Sequence, residues 1–443
     1  MSWISARSGR RIGDDGRGGA AYDPAVMVAL LVYAYCVGER SSRVIERRCT
    51  EDVAFRVIAA NQLPDHATVA RFRSTHQVAL ACLFGQVLRL CANAGLVRAG
   101  LVAIDGTRMQ ANASREANRT AQQLAQEILA DAATVDAEED ERFGSARGDE
   151  LPPGLRGPGR REWIRALLDD LETDAEQRSY EAQMARRAEI EAATGRRLTG
   201  RKPKPDTQPR RARRFANLTD PESRLLRTRD GFVQGYNAQA VVTVDQVIVA
   251  AEVCNDANDG GQFAPMVAAT KANLRRAGAR TRIRTVVADA GYFSKDNVAT
   301  SGVETLIAPG KRDIGRQARL EVQRDVVLER IEQGAISRAD AAVELGVGRS
   351  RIDQLILARQ REIPPTPAVA MLAKLATPRG RRLYKKRSAT IEPVFGQTKH
   401  NRGMRRFSRR GLTAVDSELK LIAATHNLLK LWHHATHANP AFA

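Results

Sequence analysis

Two short apolar runs each end in an aspartate with a glycine close behind it: Leu101-Val-Ala-Ile-Asp105-Gly106 and Thr285-Val-Val-Ala-Asp289-Ala-Gly291. Far downstream, Glu392 stands in a frame of cations and one phenol, Tyr384-x2-Arg387-x4-Glu392-x6-Lys399. Short continuous apolar runs read as buried strands, which sets each aspartate at the carboxyl end of a strand, where α/β folds gather their chemistry. Three carboxylates brought together there repel one another unless a divalent cation lies between them. On a strongly basic chain, that combination points to metal-dependent cutting or joining of nucleic acid.

The charge supports the same direction. The 443 residues carry a formal +19 at pH 7, and 43% of them are hydrophobic, which suits a globular protein with room for two or three cores. The excess of cations calls for a polyanion, and DNA or RNA fits better than a membrane because no apolar stretch reaches spanning length. Five cysteines, Cys36, Cys49, Cys82, Cys91 and Cys254, are odd in number and form no CxxC pair. They indicate neither a disulfide framework nor a zinc site, and read as core residues in a reducing cytoplasm. The amino terminus lacks the apolar stretch of a secretory signal, so the expected location is the cytoplasm, at the nucleoid.

These acids must be positioned by a scaffold, and composition marks its parts. Asp23-Pro24 opens a helix over Ala25 to Val37, with the aspartate as cap and the proline in the first turn. Short helices follow to residue 98, including Leu63 to Arg73, whose Arg71 and Arg73 read either as solvated arginines of a small bundle or as DNA contacts. The strand ending at Asp105 gives way to a charged insertion, about 112–228. Its middle reads as two solvent-facing helices, and its end, Arg196 to Arg214, as a linker or a phosphate track. Two strands, Phe232–Val244 and Val247–Val253, then form a hairpin at Asp245-Gln246; a helix over 261–277, the strand ending at Asp289, a short helix near Ser294 and a strand at Glu304–Ala308 follow. Strand, two strands, helix, strand, helix, strand and a final helix with Glu392 is the order of a ribonuclease H-like fold. The fold class is therefore α/β: a ribonuclease H-like core with a mixed sheet, plus an all-helical N-terminal domain and helical insertions. The expected divisions are 1–98, 99–310, a helical insertion at 311–378, and 379–436 with the glutamate.

Within that last insertion, Ile336 to Leu355 has the spacing of a helix-turn-helix. Ala342 supplies the small side chain at the crossing, Gly346 the turn, and Val347, Ile352 and Leu355 the anchors of the second helix. Its exposed face then carries Arg349 and Arg351, as DNA contacts or as surface charges of a packing hairpin.

Asp105-Gly-Thr, Gly235-Tyr-Asn237-Ala-Gln, Asp289-Ala-Gly-Tyr292 and Ile391-Glu392-Pro-Val-Phe395-Gly resemble blocks of the DDE transposases of bacterial insertion sequences. Asp23 through Arg73 resembles the helical amino-terminal domain of one branch of that family. The resemblance implies that Asp105, Asp289 and Glu392 are the metal-binding catalytic triad, supported by Tyr384, Arg387 and Lys399. It implies two Mg2+ ions, with Mn2+ as a substitute, and as partner the DNA of element ends and target, bound by a homodimer or higher oligomer. Arg71, Arg73, Arg349, Arg351 and Arg402 are the expected DNA contacts. The interval from Arg387 to Glu392 holds four residues where the strict signature has three, and the chain starts close to its helical domain, as a truncated copy would.

Two such ions, about 4 Å apart, activate a water or 3′ hydroxyl on one side of a phosphodiester and stabilise the leaving oxygen on the other. Asp105 is the candidate to bridge both. Pro393 reads as a first-turn proline, which sets Glu392 at a helix start, and Lys399 follows two turns on along the same face, within reach of a phosphate. Tyr384 reads as a base-stacking or phosphate-holding group. The activity read from this set is metal-dependent cleavage of element ends and strand transfer. A transposase-derived DNA-binding protein without catalysis, and a metal-dependent nuclease of the same fold, are the alternatives.

Overall fold

The carboxylate of Asp23 accepts a hydrogen bond from the Ala25 amide at 2.8 Å, and Pro24 follows it, so the first helix, α1, runs Pro24–Cys36. The structure, a computed structural model, describes residues 22–120, 215–217, 219–220, 222–228, 231–300, 302–310, 313–359 and 365–438, with scattered positions between 180 and 192. Most of the charged insertion, including the expected long helices and the basic run Arg196 to Arg214, lies outside the described residues. The chain divides into two compact units, Met1–Asn112 with Arg224–Ala443, and Ala113–Ser223.

In the larger unit, α1 is followed by α2 (Ser42–Glu51), α3 (Val53–Ile58), α4 (His66–Thr75) and α5 (Gln77–Asn93). Asp52 and Asp65 cap α3 and α4 by accepting from backbone amides of the first turn. These helices bury Leu30, Leu31, Tyr35, Ile45, Phe55, Val69 and Leu80 in one cluster, completed by Met404, Leu421 and Ile422 from the far end of the chain.

Strand β1 (Leu101–Gln110) is the centre of the sheet. In the smaller unit, β2 (Asn118–Thr120) and β3 (Phe215–Asn217) form an antiparallel pair. Returning to the sheet, β4 (Arg224–Thr228), β5 (Gly231–Thr243) and β6 (Ile248–Cys254) are antiparallel, and β5 pairs β1 from Val102↔Thr243 to Gln110↔Gly235. The β5–β6 turn places Gln246 at φ 63°, a left-handed conformation that the expected hairpin at Asp245-Gln246 requires. Helix α6 (Phe263–Arg276) crosses to β7 (Thr285–Ala288), which pairs β1 in parallel; α7 (Lys295–Val298), capped by Ser294, leads to β8 (Glu304–Ile307), parallel to β7. The order β6–β5–β1–β7–β8, with β4 on the same flank of β5 as β6, is a mixed six-stranded sheet consistent with a ribonuclease H-like core. Ile104, Val241, Val249, Phe263, Met266, Val286 and Tyr292 lie in its main apolar cluster.

Helices α8 (Asp313–Glu332), α9 (Arg338–Leu345) and α10 (Arg349–Arg359) form a small unit around Val327, Ala341, Ala342 and Ile352. Ser337 and Asp340 make a reciprocal capping box at the start of α9, and Gly346 ends it in the left-handed region at φ 63°. The expected anchor Leu355 lies outside this cluster; Ile356, one turn on from Ile352, packs against it instead. Then come α11 (Pro367–Ala376), α12 (Pro378–Gly396), a π-helical turn over Gln397–Asn401 and α13 (Leu412–Ala438).

Candidate active site

Strand register brings the two aspartates together. The parallel pairing of β1 and β7 runs from Leu101↔Thr285 to Ile104↔Ala288, so the next residues along are Asp105 and Asp289. Asp289 leaves its strand as expected, its carboxylate accepting from the Gly291 amide at 2.9 Å. Asp105 does not stand at a strand end: β1 continues to Gln110 because its antiparallel ladder with β5 outlasts its parallel one with β7. Asp105 therefore marks the point where β1 loses its β7 neighbour, which opens one side of the strand.

Burial, and next the charge on Asp289, push the Asp105 carboxyl up to about 6, against the pull of Arg387. Its oxygens accept from the Gly106 amide at 2.8 Å and from Arg387 Nη1 at 3.1 Å. A half-buried aspartate beside a second aspartate is a site short of positive charge.

Helix α12 delivers the rest. Its N-cap is Thr377, which accepts from the Gly380 amide, and Pro378 is its first-turn proline. Glu392 consequently sits near the end of the helix rather than at its start, with Pro393 inside the last turn. A proline there removes the amide that would bond to the carbonyl of Ala389. That carbonyl is met instead by Gln246 Nε2, at 3.5 Å, from the β5–β6 turn. Arg387 Nη2 lies 3.7 Å from Glu392 Oε1 while Nη1 holds Asp105, so one guanidinium spans the two acids despite the four-residue interval. Glu392 itself is 62% exposed at its side chain.

Tyr384, one turn before Arg387, is half-buried; burial raises its phenol, Arg387 lowers it and Asp289 raises it, which sets it on the same side of the site. Lys399 departs from the expected register because the α-helix gives way to the π-helical turn before it. Its Nζ donates to Thr107 Oγ1 at 2.5 Å and to the Arg108 carbonyl at 2.8 Å. Thr107 lies two residues past Asp105, on the same face of β1, so the lysine is tethered to the strand that carries Asp105. Burial, then Arg108 and Arg405, push its amine down to about 8.

The opposite face of β1 holds a residue that sequence reasoning missed. Asp259 accepts from Asn237 Nδ2 at 2.7 Å, Gln239 Nε2 at 2.8 Å and Arg108 Nη1 at 3.2 Å. Tyr292, three residues past Asp289, donates its hydroxyl to Gln239 Oε1. This clamp grips β1 at Gly106, where a Cβ would come within 2.4 Å of Gln239 Nε2 and 2.6 Å of Asp259 Oδ1. Two buried amides at alternate positions of β5, Asn237 and Gln239, were the available signal, since buried amides demand partners. Asp259 stands in a run of Asn, Asp and Gly, a composition common to turns, which gives no sign of this role.

Of the expected DNA contacts, Arg71, Arg349 and Arg351 are exposed. Arg73 and Arg402 are not. Arg73 is 9% exposed and donates to the Arg40 carbonyl at 2.6 Å and Ser42 Oγ at 2.7 Å. Arg402, 8% exposed, donates to the Tyr35 carbonyl at 2.8 Å and Thr425 Oγ1 at 2.5 Å, and burial lowers it to about 10. Carbonyls converging from distant segments take these two guanidiniums inside, so they brace the fold.

With this geometry in place, two family matches fall on its two ends: the family described as transposase DDE domain over residues 358–432, and that described as transposase domain (DUF772) over residues 2–75. The first spans Tyr384, Arg387, Glu392 and Lys399. Both matches are to transposase domains, and together they support a DDE transposase of an insertion sequence. No curated protein and no solved structure matches it. Transposases of this family generally use divalent metals. Among the described residues, no three His, Cys, Asp or Glu side chains are gathered closely enough to hold a metal ion outright. The donor set nonetheless fits one: all its acids offer hard oxygens, and the Asp105 carboxyl is raised by burial and then by its aspartate neighbour. Among the described residues, no helix is long and apolar enough to cross a membrane.

Proposed function

We propose that this transposase binds the ends of its element, cuts them by metal-dependent hydrolysis and joins the 3′ ends to target DNA, with Asp105, Asp289 and Glu392 as the catalytic acids. The observation that carries this is the register of β1 against β7, which sets Asp105 next to Asp289, together with the Arg387 bridge from Asp105 to Glu392. Those three carboxylates would hold two Mg2+ ions, which supply an activated water or 3′ hydroxyl and a stabilised leaving oxygen. The chain's own residues do the positioning. Arg387 keeps the Asp105 carboxylate ionised and aimed, Lys399 fixes the next turn of the site to Thr107, and the Asp259 clamp holds β1 from behind. Residues 1–98 and the α8–α10 unit are the DNA-reading parts in this account, through Arg71 and through Arg349 and Arg351, and the active form is a dimer or larger on nucleoid DNA.

The test is strand cleavage of a duplex carrying an element end. Asp105→Asn, Asp289→Asn and Glu392→Gln should each abolish cleavage in Mg2+ while duplex binding stays within a few-fold of wild type, because surface cations supply most of the affinity. Cleavage at the parental rate by all three variants would sink the assignment. A wild type that binds without cutting marks a non-catalytic descendant, and one that cuts without joining marks a nuclease.

A further inference from the structure

Arg402 to Gly411, the segment between the π-helical turn and α13, carries five arginines and no acid. It is far from a loose loop. The Gln110 amide donates to the Arg405 carbonyl at 3.0 Å and the Phe407 amide to the Gln110 carbonyl at 2.8 Å, so the segment is laced to the far end of β1. From beneath, Arg40 donates to the carbonyls of Gly403 and Arg406, and the buried Glu418 accepts from the amides of Ser408 and Arg409 at 2.9 and 3.1 Å. Met404 and Phe407 are buried, and Arg402 ties the segment to Tyr35.

On the outside of this strap, Arg405, Arg406 and Arg410 are exposed. Each donates its Nε to a backbone carbonyl: Arg405 to Lys399 at 3.2 Å, Arg406 to Ala111 at 3.1 Å and Arg410 to Asn112 at 2.9 Å. Holding Nε fixes the plane of a guanidinium. Nη2 of Arg405 also meets His400 Nδ1 at 2.7 Å and that of Arg406 donates to Asn112 Oδ1 at 2.9 Å, neither partner a carboxylate. Among the described residues, no carboxylate forms an ion pair with any of the three. Three braced cations with no acid to answer them, and Lys399 close by, repel one another in the free protein and suit a row of phosphates.

We propose that the Arg402–Gly411 strap is a phosphate ledge for the DNA strand at the active site, with Arg405, Arg406 and Arg410 as its contacts. Gln110, where the strap is laced, lies five residues beyond Asp105 on one strand, about 17 Å along it. At ~3.4 Å per nucleotide, that puts the ledge roughly five nucleotides from the bond to be cut. This distance rests on the catalytic reading of Asp105; the binding itself does not.

The experiment measures binding of a labelled random-sequence duplex to the full chain across a salt series, without divalent cation. Arg405→Gln, Arg406→Gln and Arg410→Gln together should flatten the slope of log affinity against log salt by about 2 to 3, since each phosphate contact contributes ~0.9. The exposed Arg275, Arg276 and Arg280 changed to Gln remove the same charge elsewhere and should leave the slope as it was. A strap variant with the parental slope, or a control that flattens it equally, overturns the proposal. Arg405→Glu alone, whose unfolding midpoint is checked first, should weaken binding at least tenfold even if the triple variant fails to fold; parental affinity in that variant overturns the proposal too. A flattened slope in a protein that never cleaves supports the ledge and refutes the catalytic reading, so the two fail separately.

Discussion

Arg387 Nη1 lies 3.1 Å from Asp105 Oδ2, a contact between residues 282 positions apart. The same guanidinium reaches Glu392, so a single side chain sets the relation between the strand acid and the helix acid. An ammonium is a single point of charge, without the planar fork that lets Nη1 and Nη2 face different acids. Arg387→Ala should therefore cut single-turnover cleavage by about 100-fold or more, as expected for a lost charge-positioning group. Arg387→Lys should recover only part of that. Parental cleavage by the alanine variant would show the bridge to be incidental.

Lys399 and Glu392 share a sequence frame but differ in burial, and their variants should fail in different ways. Lys399→Ala removes the donor to Thr107 Oγ1 and the Arg108 carbonyl, which should cost about 1–3 kcal/mol of stability as well as cleavage. Glu392→Gln changes a mostly exposed side chain, so cleavage should vanish with the urea midpoint unmoved. Equal midpoints for both variants would mean that the lysine tether carries no load.

Gly106→Ala tests the clamp behind the strand. The added methyl would meet Gln239, Asp259 and Asn237 side chains closer than van der Waals contact allows. Relieving it must part the amides from Asp259 or push β1 forward, so about 1–3 kcal/mol of overpacking cost is expected together with a loss of cleavage. Urea unfolding and cleavage, measured on the same preparation, check both.

His426 on α13 should set an acid limit on stability. It is buried, its Nε2 donates to the Gln246 carbonyl at 2.9 Å, and burial pushes it from 6.5 down to about 4. The folded state keeps it neutral while the unfolded chain takes up a proton below its ordinary value. Stability is therefore full above about pH 6.5 and drains away as pH falls towards about 4, by roughly 3 kcal/mol in all. His426→Gln should flatten that interval in a series of urea midpoints against pH.

Much of this scaffold is legible in the sequence. The runs ending at Asp105 and Asp289, the hairpin at Asp245-Gln246 and the helix pair around Gly346 obey local rules of burial, turn chemistry and capping that the surroundings do not overrule. The readings that failed depended on distant partners. Pro378 and Pro393 satisfy the same first-turn rule, and only the Gln246 side chain meeting the Ala389 carbonyl shows how the second is accommodated inside α12. Arg73 and Arg402 look like any other surface arginines until the carbonyls of Arg40 and Tyr35 are placed around them. Asp259 has no local mark at all, because its role lies in two amides on another strand.

The cluster that buries Leu30, Leu31 and Tyr35 is completed by Leu421 and Ile422, which the ribosome adds about 390 residues later. At ~5–20 residues per second, the first helices wait roughly 20 to 80 s for the surface that covers them. During that interval the nascent chain presents an apolar face suited to a holding chaperone. A translation product that stops before α13 should keep that face bare and accumulate as aggregate rather than as a competing DNA-binding fragment.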